Sequence, residues 1–359
     1  MSKAREVAKL GEVMTNSQIG GRRNIIVNSQ MAIAQRGTSF TPTTSQTYTL
    51  DRFQIFPQGS TAGRATITQD SSAPNGFANS LKIDVTTADT SIAANETYIL
   101  GYQAEGQDVQ MFKKGTSEAE EYTVSFYVKG NASATYVLEL FDMDNTRQIS
   151  KTFNVTTDWT RVILTYPADT TGSFDDDNAS SLALFFFLHA GSTYTSGTIN
   201  SSAWAATNNA NRVGSGTTSI FDSTDRTFFI TGLQVEVGSV ATPFEMRSFG
   251  EELALCQRYY FGSSYGDTTP GTTGPFGTAH STNEANVGFE FPTTMRATPT
   301  VTVFDASGNA NRIHRAQVGN HGNAANANNV SVNGVGQLQS TSMTSGGGYL
   351  GGINADAEL

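Results

Sequence analysis

The run YTVSFYVKGN at residues 122–131 decides the fold class of this 359-residue chain. Apolar side chains occupy every second position from Tyr122 to Val128, and Gly130 and Asn131 end the run with a turn signal. Alternation at period two is the pattern of a strand that buries one face. A second apolar run follows at residues 136–141, and DMDN at 142–145 ends it with another turn. The two runs therefore predict consecutive strands of an antiparallel sheet.

Segments of the same kind continue on both sides of this pair. They lie at residues 25–27, 53–56, 65–68, 81–85, 153–155, 160–166, 182–189 and 227–237. Short strands at this spacing, without amphipathic helices between them, predict an all-β sandwich or barrel rather than a parallel α/β sheet. The run LFFFL at 184–188 does not alternate, so both of its faces should be buried. We expect a central strand there, with an outer face that meets another subunit.

The composition and charge of the chain exclude several kinds of partner and of stabilising site. Charged residues make up 15% and hydrophobic residues 37% of the chain, so small neutral polar groups cover much of the surface. The net charge of −10 makes nucleic acid an unsuitable partner, because phosphate neutralisation needs clustered Lys and Arg. The single cysteine, Cys256, excludes an intrachain disulfide and a Cys-based zinc site. The N-terminus lacks the apolar core of a secretory signal, and the chain has no apolar run long enough to predict membrane insertion.

The chain is predicted to have three parts. Residues 1–22 form an N-terminal segment with a short helix at 3–14, because Val7, Leu10 and Met14 follow helical spacing before Gly20 and Gly21 break the pattern. Such a helix needs a partner, and a frayed tail is the alternative. Residues 23–246 form the β-sandwich. Residues 247–359 form a smaller β domain that a helix at 250–260 opens, with strands at 287–291, 300–304, 312–318, 330–332 and 349–353.

Several motifs together resemble tail-fibre-like and other fibrous virion proteins of bacteriophages. They are RNIIVN at 23–28, QRGTSF at 35–40, DRF at 51–53, ITGLQVEVG at 230–238, ATPFE at 241–245, LALCQRYY at 253–260 and MRATPTV at 295–301. The resemblance implies an antiparallel jelly roll of carbohydrate-binding-module type and then a trimeric C-terminal β domain. It also implies a homotrimer that contacts the host surface. Residues 1–22, through Val7, Leu10 and Met14, would then dock the protein to other virion proteins.

The resemblance leads to a first hypothesis of a homotrimeric tail fibre, or fibre tip, that attaches the phage to host surface glycans. Such a protein is made in the host cytoplasm and released by lysis. One alternative is a head decoration or head-fibre protein on the capsid, and another is a polysaccharide-degrading enzyme of the tailspike type. The missing signal peptide disfavours a cellular carbohydrate-binding module.

Catalysis receives little support from the sequence. The histidines are His189, His280, His314 and His321. They lack the spacing of metal ligands, and the chain has neither a Gly-x-Ser-x-Gly elbow nor a phosphate-binding loop. We therefore predict a protein that is not an enzyme and needs no cofactor. Asp175, Asp176 and Asp177 form the densest acidic cluster, where a solvated turn and a structural Ca²⁺ site both stay open.

Aromatic side chains with amide neighbours are the candidate sugar contacts, because a ring can pack on the apolar face of a sugar while amides bind its hydroxyls. The first set is Trp204 with Tyr194, Asn208 and Asn209, in a long polar loop at 191–219. For Trp204, anchoring of this loop or packing against another subunit is the alternative. The second set is Tyr259, Tyr260, Tyr265 and Phe276, and His314 and His321 lie in an Asn-rich tip region. Trp159 begins a strand and is predicted to be a core residue.

Overall fold

The computed structural model describes residues 23–43, 46–266, 273–316, 318–321, 325–341 and 343–359. The chain divides into two compact units, Met1–Arg247 and Ser248–Leu359. The predicted boundary after residue 246 lies one residue from this division. The predicted docking helix with Val7, Leu10 and Met14 lies outside the described residues. No described helix is long and apolar enough to cross a membrane.

The first unit, which we call the jelly roll, is a sandwich of two sheets. Its strands are β1 Ser39–Phe40, β2 Thr47–Tyr48, β3 Gln54–Gln58, β4 Ala65–Asp70, β5 Ser80–Val85, β6 Thr97–Glu105, β7 Tyr122–Gly130, β8 Ala134–Asp142, β9 Arg147–Val155, β10 Thr160–Tyr166, β11 Ser180–Ala190, β12 Ala205–Ala206 and β13 Thr227–Val237. Its short helices are Gly59–Thr61, Gly106–Val109, Gln110–Phe112, Ser192–Thr195, Asn209–Asn211 and Ile220–Asp222.

The strand order is β1-β4-β5-β13-β7-β10 in a six-stranded sheet and β12-β9-β8-β11-β6-β3-β2 in a seven-stranded sheet. All pairings between these described strands are antiparallel. The predicted all-β class, with antiparallel sheets and few helices, is therefore confirmed.

The alternation that defined β7 in the sequence places its apolar side in the sandwich core. Tyr122, Val124, Phe126 and Val128 are fully buried. The Phe126 ring meets the Phe186 ring of β11 edge to face, with centroids 5.2 Å apart, which joins the two sheets. Burying each such ring contributes about 1.5–3 kcal/mol, so this stripe of the sequence stabilises the sandwich.

The predicted strand at residues 25–27 is wrong, because these residues are buried but form no ladder. The backbone N–H of Val27 donates to the Tyr102 hydroxyl at 2.9 Å, and Asn28 has a left-handed φ of 58° that ends any extended run. The Glu245 carboxylate instead accepts from the backbone N–H groups of residues 23 and 24, at 2.6 and 3.0 Å. The RNIIVN and ATPFE motifs therefore close the jelly roll together.

The second unit, which we call the C-terminal domain, begins with the helix Phe249–Gln257. Its strands are β14 Tyr260–Gly262, β15 Phe276–Ala279, β16 Glu284–Glu290, β17 Thr300–Phe304, β18 Ile313–Arg315, β19 Gly319–His321, β20 Asn326–Ser331, β21 Gly334–Gln339, β22 Gly348–Leu350 and β23 Gly352–Asp356. They form a three-stranded sheet, β14-β23-β17, and a seven-stranded sheet, β19-β18-β22-β15-β16-β21-β20.

The helix of the C-terminal domain begins within one residue of the start predicted from the sequence, at 250, and ends before the predicted end at 260. Ser248 caps it, since its hydroxyl accepts from the backbone N–H of Glu251 at 3.3 Å. It ends at Gln257, three residues before the predicted end, because Tyr260 pairs with Asp356 at the start of β14.

Candidate functional site

The side of the seven-stranded jelly-roll sheet that points away from the core carries three rows of side chains. Residues paired across antiparallel strands project to the same side, so the register gives the rows directly. From β3 to β9 the first row reads Phe56, Ile99, Phe187, Val137 and Thr152. The middle row reads Gln54, Gly101, Phe185, Glu139 and Ser150. The last row reads Gln103, Ala183, Phe141 and Gln148.

Residues 191–219, the covering segment, fold onto part of this outer face. Tyr194 packs on Phe187 with ring centroids 6.3 Å apart, in a cluster that also contains Val213. The backbone N–H of Ser150 donates to the carbonyl of Asn200 at 2.8 Å, which ties the segment to β9. The apolar run at 184–188 is a central strand whose core side is buried, while on its outer side Phe187 is buried and Phe185 is half-buried. The segment that covers Phe187 belongs to the same chain.

An ion pair joins the covering segment to the middle row. Arg212 donates through Nε to Glu139 Oε1 at 2.9 Å and through Nη2 to Oε2 at 2.5 Å, and Glu139 is fully buried. The guanidinium carbon also lies 5.3 Å from the Phe141 ring and 5.1 Å from the Phe187 ring. Burial opposes the charge of Arg212, but Glu139 outweighs this effect and raises the pKa of the guanidinium. The two charges therefore hold each other in place.

Phe56, Phe185 and Phe141 form an aromatic strip beside the covering segment. All three are half-buried, and Phe185 lies 5.7 Å from Phe56 and 6.0 Å from Phe141 between ring centroids. Gly101 permits this arrangement, because a Cβ there would lie 2.5 Å from Cε2 of Phe56. The ring of Phe56 consequently lies over the backbone of β6, and its edge-to-face contact with Phe185 extends the apolar strip across the strands.

Two glutamine amides lie at this strip, and one of them has unused hydrogen-bonding capacity. Gln54 is fully buried, and its Oε1 accepts from Gln46 at 2.6 Å, while its Nε2 has no partner in the described part of the chain. A buried donor without a partner costs about 1–3 kcal/mol, so a ligand or water oxygen is strongly favoured there. Gln103 is 8% exposed and belongs to the neighbouring row. Rings and amides of this kind suit a ligand with apolar faces and hydroxyl edges.

The structure corrects the prediction that Trp204 is an exposed aromatic platform. Trp204 is 7% exposed and belongs to the core between the sheets, where its Nε1 donates to the carbonyl of Pro167 at 2.9 Å. Tyr194 is 8% exposed on the opposite side of the seven-stranded sheet and donates to Gln58 Oε1 at 3.1 Å. Asn208 and Asn209 are exposed, and the Asn208 side chain caps the short helix Asn209–Asn211. These four residues therefore form no common site.

Trp159, predicted to be a core residue, is instead half-buried at the start of β10. Its ring meets Phe229 with centroids 6.1 Å apart, and Lys129 Nζ lies 5.8 Å from the ring. Trp159 and Phe229 lie on the outer side of the six-stranded sheet. The two tryptophans thus have the reverse of their predicted environments, because the indole of Trp204 finds an acceptor and a buried cation inside the sandwich.

That buried cation is Lys114, and oxygen atoms surround it. Its Nζ lies 2.5 Å from Asp142 Oδ2 and 3.1 Å from Asp169 Oδ2, and it donates to the carbonyls of Thr171 and Gly172 at 2.8 and 2.6 Å. The Trp204 ring centroid is 5.5 Å from the same nitrogen. Burial disfavours the Asp169 carboxylate, but hydrogen bonds from Arg147, Thr171 and Lys114 outweigh it and lower the pKa of Asp169.

The acidic cluster that the sequence suggested for Ca²⁺ lies in an exposed loop. Asp177 Oδ1 accepts from the backbone N–H of Ala179 at 2.8 Å, and the backbone N–H of Asp175 donates to Asp144 at 3.0 Å. Asp175, Asp176 and Asp177 are all exposed. The described residues contain no group of three or more His, Cys, Asp or Glu side chains that could hold a metal ion. The arrangement is that of a solvated turn, and Ca²⁺ binding stays a prediction.

The remaining predicted contacts lie in the C-terminal domain. Tyr259 and Tyr260 are buried, whereas Tyr265 is half-buried after β14. Phe276 is 59% exposed at the start of β15. His314 is half-buried in β18, where it pairs with Leu350, and the backbone of His321 pairs with Ile313 in β19. Of these aromatic candidates, Phe276 is the one whose ring is open to solvent.

The sequence predictions missed the strand that organises the jelly-roll site. Strand β6 buries Tyr98, Leu100 and Tyr102 at every second position, and it places Gly101 and Gln103 on the outer face. The period-two signal is present in TYILGYQAE at 97–105, but the central glycine interrupts its apolar character. Since Gly101 is the point where Phe56 crosses the sheet, the same glycine that obscured the strand shapes the site.

Residues 73–193 match the family described as the carbohydrate binding domain. This segment, about a third of the chain, contains β5 to β11 and thus Gly101, Gln103, Phe141 and Phe185 of the site. The family supports a carbohydrate-binding jelly roll and favours a binding role for this segment over a catalytic one. The comparison with curated proteins found no match.

Solved structures with similarity to the chain include the CBM22-1 xylan-binding domain of Paenibacillus barcinonensis Xyn10C. It is 14% identical, and the match covers 62% of this chain and 100% of that chain, with a TM-score of 0.28. A family 11 carbohydrate-binding module of Clostridium thermocellum is 10% identical over 55% of this chain and 97% of that chain, with a TM-score of 0.28. The enzymatically active domain of tailspike protein 4 from bacteriophage CBA120 is 11% identical over 60% of this chain and 21% of that chain, with a TM-score of 0.30.

Proposed function

We propose that the jelly roll binds a glycan on its outer face, and that the protein is a bacteriophage virion protein that attaches the particle to host surface glycans. The observation that carries the glycan site is the Nε2 of Gln54, which has no partner among the described residues. Gln54 lies in the same row as Phe185, and Phe185 belongs to the segment that matches the carbohydrate binding domain. A partnerless buried donor beside an aromatic strip is what a hydroxyl-bearing ligand would complete.

The proposed contacts follow from the positions of the side chains. A sugar ring would pack its apolar face on Phe185 and Phe141, while its hydroxyls bond to the amides of Gln103 and Gln54. Arg212 would hold Phe141 and the covering segment in position, because its guanidinium is already occupied by Glu139. The ion pair is neutral as a unit, so the site favours hydrogen bonding over charge attraction as the source of affinity.

The virion part of the proposal is supported by the motifs that the chain shares with fibrous virion proteins. In the proposed assembly three chains form a homotrimeric fibre or fibre tip on the tail, and residues 1–22 dock it to other virion proteins. Several weak sites on one fibre give avidity without high affinity at any single site. A glycan site with few contacts is therefore sufficient for attachment.

The glycan site is tested with the full chain on a printed panel of neutral and acidic oligosaccharides. We expect Phe141→Ala and Gln103→Ala each to lower affinity by about tenfold or more, as loss of a central contact does. Trp159→Ala is the matched control, because it removes a half-buried ring from the other sheet. Unchanged binding in both variants, with circular dichroism showing an intact fold, would remove this site from the proposal.

The assignment to the virion is tested by immunogold electron microscopy on phage particles. Label on the tail supports the fibre, and label on the head moves the protein to a decoration role. Absence of label from every particle would contradict the proposal that the protein belongs to the virion. Release of oligosaccharides from host envelope by the purified chain would instead establish an enzyme.

A further inference from the structure

The seven-stranded sheet of the C-terminal domain exposes a side made of amide groups. Its register places Glu284, Gln339 and Asn326 in one row across β16, β21 and β20. A second row crosses from β15 to β20 and contains Thr278, Asn286, Gln337 and Asn328. We call this side of the sheet the amide face. Most of its side chains are exposed or half-exposed, whereas the opposite side holds buried core residues such as Ala285 and Leu338.

Hydrogen bonds along the first row fix the orientation of each amide. Gln339 Nε2 donates to Glu284 Oε1 at 2.7 Å, and Asn326 Nδ2 donates to Gln339 Oε1 at 3.4 Å. Because a carboxylate only accepts, Gln339 must turn its nitrogen to Glu284 and its oxygen to Asn326. The carboxylate therefore sets the direction of the whole row, and the remaining donors and acceptors point to solvent in a fixed order.

The second row repeats the arrangement one step further along the strands. Gln337 Nε2 donates to Asn286 Oδ1 at 3.0 Å, and Asn328 Nδ2 donates to Gln337 Oε1 at 3.4 Å. The two rows are separated by two residues on each strand, about 7 Å. That spacing places two lines of donors and acceptors side by side, at a distance that one sugar ring can bridge.

A pocket opens at the end of the first row. It has a volume of about 560 Å³. Its lining includes Ser281, Asn283, Glu284, Asn326, Gln339 and Ser340. Small-molecule sites usually have volumes of about 300–1,000 Å³, so one or two sugar units fit. The lining consists of hydroxyl, amide and carboxyl groups, which recognise hydroxyls rather than apolar ligands.

Phe276 adds an aromatic surface to the same side. It lies two residues before Thr278 on β15, so both side chains project from the amide face, and 59% of its surface is exposed. A Cβ on Gly348 would lie 3.4 Å from the Phe276 ring, so the ring lies over the neighbouring strand β22. A ring that lies over a neighbouring strand with more than half of its surface exposed is suited to packing against a sugar.

The charges on the amide face exclude acidic ligands. Strands β15, β16, β20 and β21, which carry the two rows, contain neither Lys nor Arg, and His280 and Glu284 are the titratable side chains at the first row. His280 Nε2 lies 3.4 Å from Glu284 Oε2. An incoming carboxylate or phosphate would meet Glu284 without a cation to balance it, which is unfavourable.

We infer that the amide face is a second glycan-binding site, separate from the jelly roll and selective for neutral sugar chains. The fixed amide rows supply hydrogen bonds, the pocket admits the chain end, and Phe276 supplies the packing surface. Another copy of the protein is the competing occupant. A stable protein interface has an apolar core, and within its described residues this face offers Phe276 and Leu350 as large apolar groups.

The test uses the full chain with Phe141→Ala and Gln103→Ala combined, so that the jelly-roll site is disabled. This background is applied to a printed panel of neutral and acidic oligosaccharides. We expect residual binding to neutral members of the panel, and loss of that binding by about tenfold or more when Phe276→Ala or Gln337→Ala is added. Phe249→Ala is the matched control, because Phe249 is 56% exposed in the same domain and lies on the helix.

A charge change tests selectivity independently of folding. Glu284→Lys should shift the preference of the background variant from neutral to acidic oligosaccharides by about tenfold, while Glu284→Gln should keep it on neutral ones. Absence of residual binding in the background variant would overturn this inference and leave the jelly-roll proposal intact. Light scattering provides the second check. If Phe276→Ala abolishes oligomers and leaves glycan binding unchanged, the amide face is a subunit contact, and the inference of a second glycan site is overturned as well.

Discussion

The jelly roll and the C-terminal domain both contain a seven-stranded sheet, and they treat the outer side of that sheet in opposite ways. The jelly-roll sheet places Phe56, Phe185 and Phe187 there and covers part of them with residues 191–219. The C-terminal sheet places amides there, and neighbouring amides satisfy one another. Contact between apolar side chains and water raises the free energy of the folded state, so these side chains are better covered by other residues. Amides that hydrogen-bond to one another along a row can remain exposed to solvent.

The difference extends to buried charge. The jelly roll fixes its loops with buried ion pairs, Lys114 with Asp142 and Arg212 with Glu139. Within the described residues of the C-terminal domain, His280 and Glu284 form a half-exposed contact on the sheet, with 3.4 Å between Nε2 and Oε2. Removal of one charged side chain should therefore lower the free energy of unfolding strongly in the jelly roll and change it little in the C-terminal domain.

The largest effect is expected from Lys114→Met. It leaves Asp142 and Asp169 without their shared cation inside the sandwich, and breaking a buried pair in this way costs about 3–5 kcal/mol. The measurement is the free energy of unfolding of the jelly roll in urea. Lys113→Met is the matched control at the adjacent position, since Lys113 is exposed beside Glu120, and its loss should leave the transition in place. Equal midpoints for the two variants would contradict the role given to Lys114.

The next effect is expected from Arg212→Met, which leaves Glu139 buried and unpaired. We expect a loss of about 3 kcal/mol in unfolding free energy, together with faster proteolysis within residues 191–219. The double variant Arg212→Met with Glu139→Met should recover most of this loss, because no charge then stays buried. A double variant as unstable as the single one would show that the covering segment is held by packing alone.

A smaller effect is expected on the pH dependence of unfolding, which buried His189 should make steeper in the jelly roll than in the C-terminal domain. His189 is buried, with Nδ1 2.7 Å from Ser219 Oγ and Nε2 3.7 Å from Glu96 Oε2. Burial lowers the pKa of His189 below its ordinary 6.5, although Glu96 and Asp89 oppose this shift. The unfolded chain therefore binds the proton more readily, and this contribution to stability is present above pH 6.5 and is lost as the pH falls towards the folded pKa.

The expected slope for His189 is at most about 1.4 kcal/mol per pH unit, since one proton is involved. His189→Gln should flatten the pH dependence of jelly-roll unfolding below pH 6.5, measured by urea titration at several pH values. His280→Gln is the control, because His280 is 45% exposed in the C-terminal domain. An unchanged slope in His189→Gln would show that other groups set the acid sensitivity.

The smallest effect is expected on the amide face. Asn286→Ala removes one member of an exposed row, and surface substitutions of this kind change stability by less than about 0.5 kcal/mol. Differential scanning calorimetry of the full chain should therefore show no resolved shift in the C-terminal transition. A large loss would mean that the amide rows stabilise the sheet rather than present binding groups.

The candidate sites were less predictable than the strands. Phe276 was identified from its residue type and is exposed, so its ring is available as a packing surface. Trp204 was chosen by the same reasoning and is buried, because an indole needs both an acceptor and a packing surface. Gln54 and Gln103 carry no sequence signal for a site. They matter because β3 and β6 bring them beside Phe185, which lies far from both in sequence.

The sequence by itself determined where many of the strands lie. Residues 160–166, 227–237 and 300–304 were predicted with the bounds that the structure has, because the alternation of apolar and polar side chains is a local property of the chain. Only the tertiary structure decided which faces are covered. Whether Phe187 meets water, a second subunit or residues 191–219 depends on long-range pairing, and the free energy of that choice belongs to the assembled sheets rather than to any one segment.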